Sequence, residues 1–214
     1  MVALLLFVTS SLASELSLVN APLPIPTPAV LNWTLQELTA IGHYLPLCGQ
    51  GDPSNSSSWK AKGCGNCPGC ACLPASSFNP HAIDTDSWVS ALASYGAKTA
   101  VYVVQHGCGF AQWQTRAAIP EANFTYEYSV RYSPWGASGD DVAARFVASC
   151  RKFGISPGFY LAVATNHYMH VNNNVVRGGP LSQAQYEQVV LQMLKELWSN
   201  YGAQRVCARQ WKVL

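Results

Sequence analysis

The run Thr99-Ala-Val-Tyr-Val-Val104, continued by Gln105-His106-Gly107-Cys108-Gly109-Phe110, decides how this 214-residue chain is read. Six uncharged residues rich in β-branched side chains predict a strand buried on both faces. The glycines that follow predict a tight turn carrying polar groups at the strand's end. Working outward, the same pattern repeats. Asp84-Thr85-Asp86 offers N-caps for a helix through Trp88, Leu92 and Tyr95, with Gly96 as its stop. Asp140 or Asp141 opens a second helix through Phe153, stopped by Gly154. Val142, Phe146 and Cys150 recur along it at four-residue spacing, so Cys150 reads as a buried free thiol on the inner face. Gly158-Phe-Tyr-Leu-Ala-Val163 is the next buried strand, and Ser182 with Gln185 forms a capping box for a long helix ending near Tyr201, with Gly202 beyond it. A shorter apolar run at residues 38–44 predicts a first strand.

Buried strands alternating with helices argue for parallel βα units joined by right-handed crossovers. The expected fold is α/β, a partial (β/α)8 barrel of TIM type. Eight units need ~250 residues, so about the first three are expected here. Residues 45–83, rich in Gly, Pro, Ser and Cys, read as one long Cys-rich loop inserted after the first strand.

Composition narrows the function. Basic and acidic residues number 13 and 11, a net charge of +2, and charged residues are only 11% of the chain. No polyanion-binding surface is expected, and hence no nucleic-acid partner. Residues 1–13 carry an apolar stretch followed by Ser11-Leu12-Ala13, the pattern of a signal peptide too short to span a bilayer. Residues 14–31 are Pro-rich and read as an extended lead-in, residues 32–202 as a truncated catalytic-barrel domain, and residues 203–214 as a divergent tail. Sequons at Asn32, Asn55 and Asn123 accompany the eight cysteines, so a secreted or lysosomal glycoprotein with disulfides is expected, with no membrane partner. Cys64, Cys67, Cys70 and Cys72 lie in a Gly- and Pro-containing loop. Disulfides are their ordinary use in an exported protein; a four-thiolate zinc site is the alternative.

In parallel α/β folds the chemistry sits at the C-terminal strand ends. Here those ends read Gly42-His43-Tyr44, Gln105-His106-Gly107, and Ala164-Thr165-Asn166-His167-Tyr168. A histidine recurs at each. His43, His106 and His167 could form a metal triad, which is one alternative reading; neutral imidazoles that donate to and accept from sugar hydroxyls need no metal. No cofactor is called for.

A family resemblance sharpens this. Phe78-Asn-Pro, Asp86-Ser-Trp88, Gly96-Ala-Lys98, Gln105-His106-Gly107-Cys108-Gly109-Phe110 and Trp113 resemble the α-L-fucosidase family. So do Ser133-Pro-Trp135, Gly139-Asp140-Asp141-Val142 and Cys150-Arg-Lys152-Phe-Gly154 with Pro157-Gly158-Phe-Tyr160, over roughly residues 30–202. The resemblance implies a retaining glycoside hydrolase on a (β/α)8 barrel, acting on fucosylated glycans or glycoproteins. It implies that His43 and His106 contact sugar hydroxyls, that Trp59 and Trp113 shape the pocket, and that Tyr160 sits on its floor. The sequence departs from the family at Gly107 and Cys108, where a second His and an Asp are expected, and at Ser58, where many members carry Glu. The family's nucleophile is an Asp ending the fourth strand. Here Tyr201-Gly202 leads into a stretch with Arg205, Arg209 and Lys212, no acid, and weak buried-strand character. Retention needs two carboxylates about 5 Å apart. With no catalytic carboxylate identified, the chain as written is expected to lack turnover; a non-catalytic fucose binder is the alternative.

Overall fold

The computed structural model describes residues 25–44, 73–202 and the backbone of 205–208. Trp59, the cysteines at 48 and 64–72, Asn55 and the expected signal peptide lie outside the described residues. Two compact units are present, Met1–Glu37 and Leu38–Leu214. In the first, helix α1 (Pro28–Thr34) replaces the end of the expected extended lead-in. Thr27 caps it by accepting from the Val30 N–H, and Pro28 stands in its first turn, where a missing N–H costs nothing.

The second unit is built on four parallel strands, β1 (Thr39–Gly42), β2 (Thr99–Gln105), β5 (Ser156–Leu161) and β8 (Arg205–Ala208), in the order β1-β2-β5-β8. Two small hairpins supply the remaining strands, β3 (Ala118–Ile119) with β4 (Phe124–Thr125) and β6 (Val171–Asn172) with β7 (Val175–Val176). Between the parallel strands run α2 (Thr85–Ser94), α3 (Val142–Lys152) and α4 (Gln183–Ser199). Each new parallel strand lies beside the previous one, so three βα units advance in a single direction and a fourth strand follows. The stretch 205–208, read from sequence as poor strand material, pairs with β5 from Gly158↔Arg205 to Leu161↔Ala208. Pairing to an existing edge supplied what its own composition did not.

The caps follow the sequence. Asp84 accepts from the Ser87 N–H and Asp141 from the Ala144 N–H, and the Ser182–Gln185 capping box forms in both directions. Gly96, Gly154 and Gly202 take positive φ just past the helices. Helix α3 buries Val142, Phe146 and Cys150, and α4 buries Tyr186, Val189, Val190, Met193, Leu194 and Leu197 at helical spacing. Cys150 is a free, buried thiol, and burial pushes it up to about 12. Helices α2 and α3 are joined by Thr85 Oγ1 and Ser149 Oγ at 2.8 Å and by Lys152 Nζ and Asp86 at 2.5 Å. The latter pair is exposed and contributes little.

The two faces of the sheet differ. Tyr102 and its register partner Phe159 face the helices, where Tyr102 stacks on Phe146 at 5.1 Å and Phe159 meets the Tyr201 ring at 5.4 Å. The alternating set Ile41, Val101, Val103 and Tyr160 points the other way. That face is partly open: Val103 is fully buried, Tyr160 is half-buried, and Ile41 is 55% exposed. Among the described residues no helix is long and apolar enough to cross a membrane.

Candidate functional site

The site is positioned by a break in the alternation. Val103 pairs with Tyr160, but the next pair is Gln105↔Leu161, so β2 carries one extra residue just before His106. A bulge of this kind reverses which face the following side chains occupy. Gln105 therefore turns to the core, where its amide donates to Tyr126 Oη at 3.0 Å and the Gly109 carbonyl at 3.1 Å. His106 turns to the open face. At the end of β1, two residues past Ile41, His43 reaches the same place: the rings of His43 and His106 lie 5.7 Å apart at 60°. Tyr160, level with Val103, lies on that face too. Of the residues named from sequence as sugar contacts, His43 and His106 are thus brought together at adjacent strand ends.

Burial, and to a smaller extent His43, holds His106 below its ordinary value of 6.5. At neutral pH it is an uncharged imidazole that donates through one nitrogen and accepts through the other, as an alcohol requires.

Behind it the turn is clamped. Gly109 has φ +91°, and a Cβ there would meet Asn166 Oδ1 at 2.4 Å. Tyr126 donates to the Gly109 carbonyl at 2.5 Å, and Asn166 Nδ2 donates to Tyr126 Oη at 3.0 Å. Gly107 is buried, and its carbonyl accepts from the His167 N–H at 2.8 Å. Cys108 is 2% exposed.

Trp113 takes a different place from a pocket wall. It is 1% exposed, and its indole N–H donates to Glu196 Oε2 at 2.9 Å, while Glu196 Oε1 accepts from the Arg116 N–H at 2.8 Å. It anchors α4 to the segment after β2.

The described aspartates are committed to structure. Asp84 and Asp141 cap helices, Asp86 pairs with Lys152, and Asp140 pairs with Arg145. Asp141 also accepts from Tyr201 Oη at 2.7 Å and the Gln114 N–H at 3.1 Å; burial outweighs these bonds and raises its carboxyl above the usual range. Among the described residues no three His, Cys, Asp or Glu side chains converge as a metal site, and His43 and His106 are not joined by His167 in one.

Sequence reading missed Gln105, Tyr126 and Asn166, which hold the turn. A single amide closing an otherwise apolar strand was the available signal, because a buried amide must be satisfied.

Comparison with known proteins gives the family. The family profile for alpha-L-fucosidase matches residues 72–211. A protein of Oryza sativa subsp. japonica, named as a candidate α-L-fucosidase 1, is 27% identical over 180 residues, covering 84% of this chain and 29% of its own. A structure from Bacteroides thetaiotaomicron VPI-5482, described as a candidate α-L-fucosidase, is 27% identical with a TM-score of 0.69, covering 88% of this chain and 40% of that one. A second, from Bacteroides ovatus ATCC 8483 and described in the same way, is 25% identical with a TM-score of 0.59, covering 88% and 28%. The chain therefore spans less than a third of the curated relative it matches.

Proposed function

The chain belongs to the α-L-fucosidase family, and from that premise we propose that its four strands are the opening part of a (β/α)8 barrel that recognises α-linked L-fucose on glycans. The observation that carries the reading is the meeting of His43 and His106 at adjacent strand ends, on the face that also bears Tyr160. Two adjacent imidazoles, one held neutral, offer donors and acceptors to neighbouring hydroxyls, and the Tyr160 ring offers a floor. Sequential parallel order with one helix per step supports the barrel topology over a doubly wound sheet, whose strand order reverses.

Hydrolysis with retention requires a carboxylate pair. The described aspartates serve as caps and ion pairs, and the ends of β2 and β5 carry none. We therefore assign substrate recognition, and not bond cleavage, to these residues. The second reading is a fucose-binding protein without turnover, which the same histidine pair would serve.

Calorimetric titration of the purified chain with L-fucose, beside an aryl-fucoside assay, tests both. Saturable binding lost in His43→Ala and in His106→Ala, with no released phenol, is the expected result. Turnover abolished by His106→Ala would make the polypeptide a complete enzyme. Absence of fucose binding by a folded chain would remove the recognition reading. Export to an oxidising compartment is proposed with it, supported by the exposed positions of the sequon residues Asn32 and Asn123.

A further inference from the structure

Of the sequons at Asn32, Asn55 and Asn123, the first and the third lie among the described residues, and the fold presents them differently. An Asn-x-Ser/Thr triplet becomes a carbohydrate site through two groups at once: the amide that is modified, and the hydroxyl two residues on. In helix α1, Asn32 and Thr34 are set about 200° apart around the axis and so do not face each other. The Thr34 hydroxyl is also occupied, donating to the Val30 carbonyl at 2.9 Å.

The turn at Asn123 is the converse. Residues 123–126 run exposed, half-buried, exposed, buried. That alternation is the period of extended chain, which sets residues i and i+2 on one face. Asn123 and Thr125 therefore share the solvent face. Phe124 and Tyr126 share the inner one, where the Phe124 ring meets those of Tyr126 and Tyr168 at 6.2 and 6.4 Å. Neither the Asn123 nor the Thr125 side chain has a hydrogen-bond partner among the described residues.

The hairpin that carries them is held from its other strand. Ala118 pairs with Thr125 and Ile119 with Phe124, and the Ala118 N–H and carbonyl both bond the Gln192 amide on α4, at 2.9 and 3.0 Å. Asn123 closes the turn at φ +48°, a left-handed conformation that asparagine tolerates. Backbone conformation accounts for an asparagine at the tip, but it makes no demand for an open hydroxyl at Thr125.

We propose that the side-chain amide of Asn123 carries an N-linked oligosaccharide. The proposal rests on the reading of the chain as exported. The donor is an oligosaccharide held on a lipid pyrophosphate. Its C1–O bond breaks as a bond forms between C1 and Asn123 Nδ2. The electron pair of the broken bond leaves with the lipid pyrophosphate, which also takes up the proton lost by the amide. No oxidant or reductant enters. A glycan at this tip commits the outer face of the β3–β4 hairpin to solvent, so a partner docks on another face.

The full chain, expressed in insect cells and recovered from the medium, tests this. Peptide N-glycosidase in heavy-oxygen water converts each glycan-bearing Asn to labelled Asp, and trypsin releases residues 117–131 as one peptide for mass spectrometry. That peptide carries the label. Asn123→Gly, which keeps the left-handed turn, and Thr125→Ala each abolish it, whereas Thr125→Ser retains it. Secreted, folded protein with an unlabelled 117–131 peptide overturns the proposal. Should the chain remain in the cytosol, a foreign signal sequence is placed before it. Label at Asn123 then upholds the site and defeats the reading of natural export, and its absence defeats the site.

Discussion

His106 shows how one residue's surroundings set its chemistry. Its imidazole is held below 6.5 chiefly by burial, so the unfolded chain takes up a proton at a pH where the folded chain does not. Between the lowered value and 6.5 the unfolded state binds more protons, and stability falls as pH drops through that window. Ligand affinity follows the same direction, because protonation removes the ring's acceptor. Fucose affinity measured by titration is expected to stay level above pH 6.5 and to decline below it; His106→Ala binds weakly throughout and loses that slope. A decline on the alkaline side instead would contradict a neutral working form. Asp141 gives a second case. It caps α3, and its carboxylate also accepts from Tyr201 and from the Gln114 N–H. Replacing it with Ala removes a cap, at about 0.5–2 kcal/mol, and strands buried donors at about 1–3 kcal/mol. Urea unfolding should show Asp141→Ala destabilised by roughly 2–4 kcal/mol, with Asp141→Asn closer to wild type because Asn still caps.

At the scale of elements, the bulge at the end of β2 does most to make the site. The extra residue there sends Gln105 into the core and His106 outward. Gly109 locks the arrangement, since its φ of +91° and the Asn166 amide leave no room for a side chain. Gly109→Ala is expected to cost ~1–3 kcal/mol in backbone strain alone and to displace Asn166 from Tyr126. Fucose affinity measured in the folded variant should fall although Gly109 touches no sugar; an unchanged affinity would show that the turn does not hold His106. This explains what could be read in advance. The caps at Asp84, Asp141 and Ser182, the glycine stops and the strand from Thr99 are local patterns, and they formed where the sequence places them, whereas the strand read at residues 158–163 forms two residues earlier, at Ser156–Leu161. Cys150 followed from helical spacing. The bulge is visible only once β5 lies alongside β2, and Arg205–Ala208 becomes a strand only because β5 offers an edge. The place of Trp113 depends on a distant partner as well. Its ring alone suits a pocket wall, but its partner Glu196 lies on a helix far along the chain.

At the scale of the whole molecule, the histidine pair lies at a seam. His43 follows β1, which pairs only with β2 among the described strands, whereas His106 follows β2, which is held on both sides. Strand β1 is four residues long, and Ile41 on it is 55% exposed, so it is the less secured of the two. A sugar that bonds both imidazoles links the weaker strand to the stronger one and stabilises the fold by mass action. Fucose at a hundred times its dissociation constant should add ~2.7 kcal/mol. For a chain of this size that is a rise in Tm of about 5–10 °C. Native-state hydrogen exchange locates the effect: slowing should be greatest at the amides of β1 and smaller at β5, whose pairing does not depend on ligand. A melting temperature that rises while β1 exchanges unchanged would mean that the sugar sits elsewhere, away from the junction of the two strands.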